Sequence, residues 1–231
     1  MRITEKIYAY PWRGRGNNCN SYLFKGEMTV LFDPGHIYNE FGESGFELLV
    51  RQLAADGFAL EDVDLILCTH GHPDHMEAAG LAREKSGARF ALHRQDEFIL
   101  EALGQRYAAA AGQELPDLKP DFYLQEGDLE LGKGKTDLIR VIHTPGHTPG
   151  SVCFYLPDQK ALISGDTVFE NSIGRSDLPG GNLEELEQSV ARLAAMEAVE
   201  LLLPGHMGFV SGSDHVRRNF ARIRRVFFGA I

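Results

Sequence analysis

Basic residues are in deficit, cysteine is scarce, and no apolar run approaches the length of a membrane span. The 231-residue chain carries 23 Lys and Arg against 33 Asp and Glu, a formal net charge of −10. Gripping a polyanion needs a concentrated basic surface that releases counterions, so this balance argues against nucleic acid as a partner. The missing long apolar run excludes a spanning helix and argues against a membrane partner. Met1-Arg2-Ile3-Thr4-Glu5-Lys6 holds charges where a secretory leader needs its apolar core, so a cytoplasmic protein is expected. The cysteines number three, Cys19, Cys68 and Cys153, an odd set inside strand-like apolar runs. That pattern reads as buried thiols in a reducing compartment, not disulfides. No Ser- or Pro-rich linker, low-complexity segment or obvious repeat divides the chain, and its length suffices for a substantial core. One domain over 1–231 is expected.

What the chain does have is a cluster of imidazoles. Thr69-His70-Gly71-His72-Pro73-Asp74-His75 follows the apolar run Val63-Asp64-Leu65-Ile66-Leu67-Cys68, which reads as a buried strand. Pro73 and Asp74 suit the first turn of a helix running on through Glu84. In extended backbone, residues two apart point the same way, so His70 and His72 can grip one ion together. Asp74 and His75, where the chain turns into the helix, face elsewhere and suit a second ion. Further donors must come from distant positions, because these leave a metal coordinatively open. His147 lies in His143-Thr144-Pro145-Gly146-His147-Thr148-Pro149-Gly150-Ser151, Asp166 follows Lys160-Ala161-Leu162-Ile163-Ser164 after one glycine, and His206 follows Leu201-Leu202-Leu203 through Pro204-Gly205. Each stands at a strand end beside glycine, which lets the backbone turn sharply and leaves room near an ion. Taken singly, His36, His93, His143 and His215 read as ordinary surface or core histidines. The repeated context of the others reads as a metal site.

The chain at this point resembles the metallo-beta-lactamase superfamily, whose His-x-His-x-Asp-His run, later His, bridging Asp and last His are matched in order. The resemblance implies that His70, His72 and His147 hold a first metal, that Asp74, His75 and His206 hold a second, and that Asp166 bridges them. It also implies a four-layered αβ/βα sandwich. Many beta-lactamases of the superfamily place a cysteine at a second-metal position, where Asp166 stands here, so antibiotic hydrolysis is disfavoured. Ser164-Gly165-Asp166-Thr167-Val168-Phe169, with Gly174-Arg175-Ser176-Asp177 and the Thr144 to Ser151 segment, is most similar to the glyoxalase II (hydroxyacylglutathione hydrolase) group. The larger enzymes of that group bind glutathione with a helical domain after the last histidine. Only residues 207–231 follow His206 here, so glutathione recognition does not carry over.

The residues independently read as mixed α/β. Strand-like runs at Cys19 to Lys25, Met28 to Phe32, Val63 to Cys68, Arg89 to Leu92, Leu138 to Ile142, Val152 to Leu156 and Val199 to Leu203 alternate with helical patterns. Ser44 with Glu47 makes a capping box ahead of an apolar face of Phe46, Leu49, Val50 and Leu53. Asn182 with Glu185 repeats the device ahead of Leu183, Leu186, Val190 and Leu193. Phe98, Ile99, Leu103 and Tyr107 suggest a helix inside the alanine-rich His93 to Pro120 segment, as packing or as a pocket wall. A terminal helix carries Val216, Phe220, Ile223 and Phe227 on one face and Arg217, Arg218, Arg222, Arg224 and Arg225 on the other, a solvated basic face or an anion-gripping wall.

Two dications a few ångströms apart lower the pKa of bridging water and polarise a carbonyl, so the expected activity is hydrolysis of a thioester or ester by a metal-bridging hydroxide. The small-molecule substrate is unspecified. Asp74 is the expected catalytic residue beyond its ligand role. Nitrogen and carboxylate donors suit zinc, with iron or manganese as alternatives. Trp12, Arg13 and Arg15, in an early loop, and Arg175 are candidate substrate contacts, although Arg175 with Asp177 also reads as a brace of the rim. The rival activity is that of the related persulfide dioxygenases, where the resemblance implies one iron on His70, His147 and Asp166. Lactone and phosphodiester hydrolysis are lesser alternatives.

Overall fold

The computed structural model describes residues 1–109 and 117–229. They form two compact units, Met1–Leu124 and Gln125–Ile231. Each is built on one mixed six-stranded sheet with helices, so the fold is α/β. No helix among the described residues is long and apolar enough to cross a membrane.

In the first unit the strands are β1 (Ile7–Tyr10), β2 (Ser21–Lys25), β3 (Thr29–Phe32), β4 (Leu65–Leu67), β5 (Arg89–His93) and β6 (Phe122–Leu124), in that spatial order. β1 to β3 form an antiparallel meander, and β3 to β6 run parallel. Every residue of β3 and β4 is buried, as a parallel sheet covered on both faces requires. Helices α1 (Gly45–Ala55), α2 (Pro73–Met76), α3 (Ala79–Ser86) and α4 (Glu97–Ala109) complete the unit. Ser44 caps α1 by accepting from the Glu47 N–H at 3.1 Å. Phe46, Leu49 and Leu53 of α1 then bury against Leu31, Ile66 and Phe90, with Val50 half-buried beside them. Burial of this kind stabilises by roughly 1.5–3 kcal/mol per side chain. α4 packs through Leu103, with Leu100 and Tyr107 at its edge, while residues 110–116 of the alanine-rich segment lie outside the described residues.

The helix expected from Pro73 through Glu84 is interrupted. The Ala78 N–H donates to the Gly35 carbonyl at 2.9 Å, and the His75 carbonyl accepts from the Gly35 N–H at 2.9 Å. The turn after β3 thus takes bonds that a continuous helix would keep, and the chain restarts as α3.

The second unit orders β12 (Val210–Ser211), β11 (Leu201–Pro204), β10 (Ala161–Gly165), β9 (Val152–Leu156), β8 (Asp137–His143) and β7 (Gly127–Leu131) across its sheet. Only β10 and β11 are parallel. Helices α5 (Leu183–Ala194) and α6 (Ser213–Phe228) pack Leu186, Val190, Leu193, Val216, Phe220 and Ile223 against Ile142, Leu162 and Leu202. Asn182 caps α5 by accepting from the N–H groups of Glu184 and Glu185. Two residues of the expected apolar stripes fall outside them: Leu183 is 52% exposed and Phe227 41% exposed. Leu183 is the first residue of α5, ahead of the turn that reaches the core, and Phe227 lies in the last turn of α6, where Phe228 packs in its place.

Candidate metal centre

In the first unit the donor loop leaves β4 at its carboxyl end. Its foundation is a buried carboxylate, Asp33, which directly follows β3 in the left-handed region at φ 49°. Asp33 accepts from the Thr69 N–H and the Thr69 hydroxyl, each at 2.7 Å, and from His75 Nδ1 at 2.9 Å. With its only hydroxyl hydrogen given to Asp33, Thr69 Oγ1 accepts from His70 Nδ1 at 3.1 Å. Both rings are therefore held in the tautomer that leaves Nε2 a bare lone pair, the form a metal needs. Gly71 donates to the fully buried Asp96 carboxylate at 2.7 Å, and a Cβ at Gly71 would stand 3.0 Å from the Asp96 Cβ. The His72 ring stands edge-on to His70 with centroids 4.8 Å apart, as the two-residue spacing predicts. The His75 ring lies beside His70 as well, at 4.1 Å. Asp74 Oδ2 accepts from Asn17 Nδ2 at 2.7 Å and sits 3.9 Å from His75 Nε2.

The second unit brings three strand ends together. His147 follows β8 in a turn whose Gly146, at φ 132°, lies so close to α5 that a Cβ there would come 2.2 Å from the Leu186 nitrogen. His147 Nδ1 donates to the Arg175 carbonyl at 2.6 Å, again freeing Nε2. Asp166 follows β10, and His206 follows β11; the Gly205 N–H donates to the Gly165 carbonyl at 2.8 Å and locks those two ends in register. Asp166 Oδ2 then lies 3.6 Å from His147 Nε2 and 3.4 Å from His206 Nε2. These separations are long for hydrogen bonds. They match the roughly 3.3–3.5 Å between two donors that share one ion at about 2.0–2.2 Å. One carboxylate oxygen thus faces two imidazole lone pairs, the arrangement of a shared or bridging ligand. Gly174 closes the loop over these donors, since a Cβ there would fall 1.9 Å from the Asp166 carbonyl oxygen and 3.0 Å from His147 Nδ1.

A pattern of the metallo-beta-lactamase superfamily matches residues 14–206. The chain belongs to that superfamily. The two mixed sheets with flanking helices are those of its αβ/βα sandwich, and its nitrogen and oxygen donors make this superfamily member a metal-dependent catalytic protein. Among its relatives, the probable metallo-hydrolase YqgX of Bacillus subtilis is 35% identical over 191 residues, covering 81% of this chain and 84% of that one. The hydroxyacylglutathione hydrolase GloC of Haemophilus influenzae is 28% identical over 220 residues, covering 92% and 96%. A solved structure of the protein TTHA1623 in a di-iron-bound form matches with a TM-score of 0.71 at 30% identity, covering 91% of this chain and 98% of that one.

The candidate substrate contacts fare differently as side chains. Trp12 Nε1 donates to the Gly16 carbonyl at 3.1 Å, and Arg13 is exposed. Arg15 pairs with Glu43 at 2.9 Å, a hydrogen bond that holds the Glu43 carboxyl below its usual pKa. Arg175 pairs with both oxygens of Asp177 at 2.9 Å, the bracing arrangement, and reaches a metal donor only through its backbone carbonyl. Sequence reasoning missed Asn17, Thr69, Asp96 and the role of Asp33. Asp33-Pro34-Gly35 after an apolar run is the same strand-end-then-glycine signature that marked the donors; Asn17 and Asp96 carry no comparable signal.

Proposed function

We propose that the chain is a two-metal thioester or ester hydrolase resembling the glyoxalase II group, and that residues 1–231 act as one catalytic domain. In this reading His70, His72 and His147 hold one ion, Asp74, His75 and His206 hold the other, and Asp166 bridges them. Zinc is the proposed metal, with iron the alternative that the di-iron relative supports. Bound there, the metals would supply Lewis acidity and water activated at neutral pH. The protein's own part is orientation and proton handling. Asp33, Thr69 and the Arg175 carbonyl hold three imidazoles by Nδ1, which fixes the ring orientations and leaves Nε2 as the atom of each that can meet an ion. Asp74, whose Oδ2 accepts from Asn17, is the carboxylate that takes and returns a proton during attack and leaving-group departure in this reading. The buried thiols Cys19, Cys68 and Cys153, none of them in a disulfide, support a cytoplasmic setting.

The observation that carries this reading is Asp166 Oδ2 standing 3.4 and 3.6 Å from two imidazole Nε2 atoms. Its test is metal content after purification without added metal, followed by a panel of thioesters, esters, lactones and phosphodiesters. Two metal ions per chain with thioester or ester cleavage are expected. One iron per chain, with sulfite formed from glutathione persulfide, would overturn the hydrolase reading in favour of a dioxygenase centred on His70, His147 and Asp166. An Asp74→Ala protein should stay folded and lose turnover; near-normal turnover at full metal content would remove Asp74 from the mechanism.

A further inference from the structure

Arg15, Arg83, Arg140, Arg175, Arg192 and Arg217 each hold a carboxylate. Arg218 and Arg222 enter no ion pair among the described residues, in a chain whose net charge is −10. They stand four residues apart on α6, with His215 three residues before Arg218, so the three side chains run along one helix face. That face helps line a groove of about 460 Å³, whose lining also includes Glu170, Asn171 and Phe209. The other face of α6 is fixed, because Val216, Phe220 and Ile223 are buried in the core.

The groove is joined to the metal donors of its own unit by a rigid frame. Asn219 of α6 donates through Nδ2 to the Phe169 carbonyl at 2.9 Å and accepts from the Asn171 N–H at 2.7 Å. The Phe169 ring in turn stands edge-on to the His206 ring, with centroids 5.8 Å apart. Phe209, on the groove wall, is three residues on from His206 in the chain.

We infer that this groove is an anion subsite, which takes a carboxylate or phosphate on the remote part of a substrate whose reacting bond lies at Asp166 and His206. The inference rests on the hydrolase reading and adds a substrate class to it. Two guanidiniums supply forked donors matched to the paired oxygens of either anion. The lining holds one carboxylate, Glu170, against the two guanidiniums, so the groove keeps a net positive charge. His215, also in the lining, donates through Nδ1 to the Ser211 carbonyl at 2.9 Å. The exposed Arg224 and Arg225 do not line the groove and provide a control of equal charge.

The test compares three thioesters of one acyl group: S-lactoylglutathione, with carboxylates on the thiol; S-lactoyl-coenzyme A, with phosphates; and neutral S-lactoyl-N-acetylcysteamine. For the Arg218→Gln/Arg222→Gln double variant, kcat/KM for at least one anionic thioester should fall about tenfold or more, mainly through KM, while the neutral thioester is unchanged. Whichever anionic thioester suffers names the carboxylate or the phosphate. Arg224→Gln/Arg225→Gln should stay within about twofold of wild type on all three. Equal losses on charged and neutral thioesters, or no loss on either anionic one, would overturn the subsite. If the wild-type protein cleaves none of them, the thioester form of the hydrolase reading fails by itself. The groove is then judged by titrating the protein with inorganic phosphate and with succinate while following arginine Nε–Hε resonances. Saturable shifts confined to Arg218 and Arg222 would sustain an anion site, and their absence would remove it.

Discussion

In the first unit four donors lie within six consecutive residues of one loop, whereas the second unit draws three donors from three strand ends spread between 147 and 206. The loop is held mainly by side chains: Asp33 anchors Thr69 and His75, Asp96 anchors Gly71, and Asn17 anchors Asp74. The strand ends are held mainly by backbone and by the absence of side chains. Gly205 bonds Gly165, the Arg175 carbonyl holds His147, and Gly174 and Gly146 give way where a Cβ would collide. Donors fixed by side chains are vulnerable to conservative substitution of the supporters. Donors fixed by backbone tolerate such changes and fail instead when a glycine gains a carbon.

The largest effect is expected at the one oxygen that faces two imidazoles. Asp166→Ala removes the link between His147 and His206 and should cut the proposed hydrolysis about a hundredfold to a thousandfold, as the loss of several kcal/mol of metal-borne stabilisation implies. Metal content measured alongside activity should fall too. An Asp166→Ala protein that keeps full metal and more than a tenth of its activity would break the proposed hub.

The same contrast explains what was legible in the sequence. The loop donors were visible because four of them sit in one short run after an apolar strand, and the α/β class was visible in the alternation of strand-like and helical patterns. His147, Asp166 and His206 were visible only because each follows apolar residues and neighbours a glycine. Their mutual placement depends on sheet order and on the Gly205 to Gly165 bond, which no local pattern encodes. Asn17 reaches Asp74 across 57 positions, and Asp96 reaches Gly71 across 25, so neither announces its target. β1, β6 and β12 escaped because they are only two to four residues long, and β7 because it is largely exposed. The helix break after Met76 was hidden because its cause, Gly35, lies far away in the chain.

A sharper contrast comes from the two sets of supporters. Asp33→Asn keeps the shape but puts an amide where His75 Nδ1 and Thr69 need an acceptor, and metal affinity should fall about 10- to 100-fold. Arg175→Ala removes an exposed side chain and leaves the carbonyl that holds His147, so affinity should stay within about twofold. Competition with a chromogenic chelator measures both. Equal losses would mean that the backbone-held half is no more tolerant than the side-chain-held half.

Glycine substitution should reverse that ranking. Gly174→Ala forces a carbon against the Asp166 carbonyl, a rigid backbone atom, and should destabilise the protein by about 1–3 kcal/mol or more. Gly71→Ala meets the Asp96 Cβ at 3.0 Å, where a small shift suffices, and should cost less. Thermal unfolding of the two metal-free variants gives the comparison, and a larger drop for Gly71→Ala would contradict it.

Between the buried thiols the expected signal is a pH dependence. Burial pushes the Cys153 thiol from 9.0 up to about 11, against smaller opposing hydrogen bonds from Thr144 and Thr167. A folded-state pKa raised in this way stabilises fully below the unfolded value and loses that contribution as pH climbs from about 9 through about 11. Urea midpoints for wild type should therefore fall across this window more steeply than those for Cys153→Ala, by an amount on the order of 1–3 kcal/mol. Parallel slopes would show that the thiol does not report burial. Cys68 is pushed well above its usual range by the same cause and should resist alkylation at pH 8 until denaturant is added.

The smallest effect separates the two amphipathic helices that cover the sheets. Leu183 opens α5 at 52% exposure, although its spacing from Leu186 and Val190 suggests a buried position. Leu183→Gln should shift stability by no more than about 0.5 kcal/mol, as exposed substitutions do. Val50 of α1 is half-buried against the core of the first unit, so Val50→Gln removes apolar contact and leaves an amide at its edge. It should cost roughly 1 kcal/mol. Chemical denaturation of the pair orders them. A Leu183→Gln loss as large as that of Val50→Gln would mean that the first turn of α5 contributes apolar packing after all, and that the periodicity read from the sequence was the better guide there.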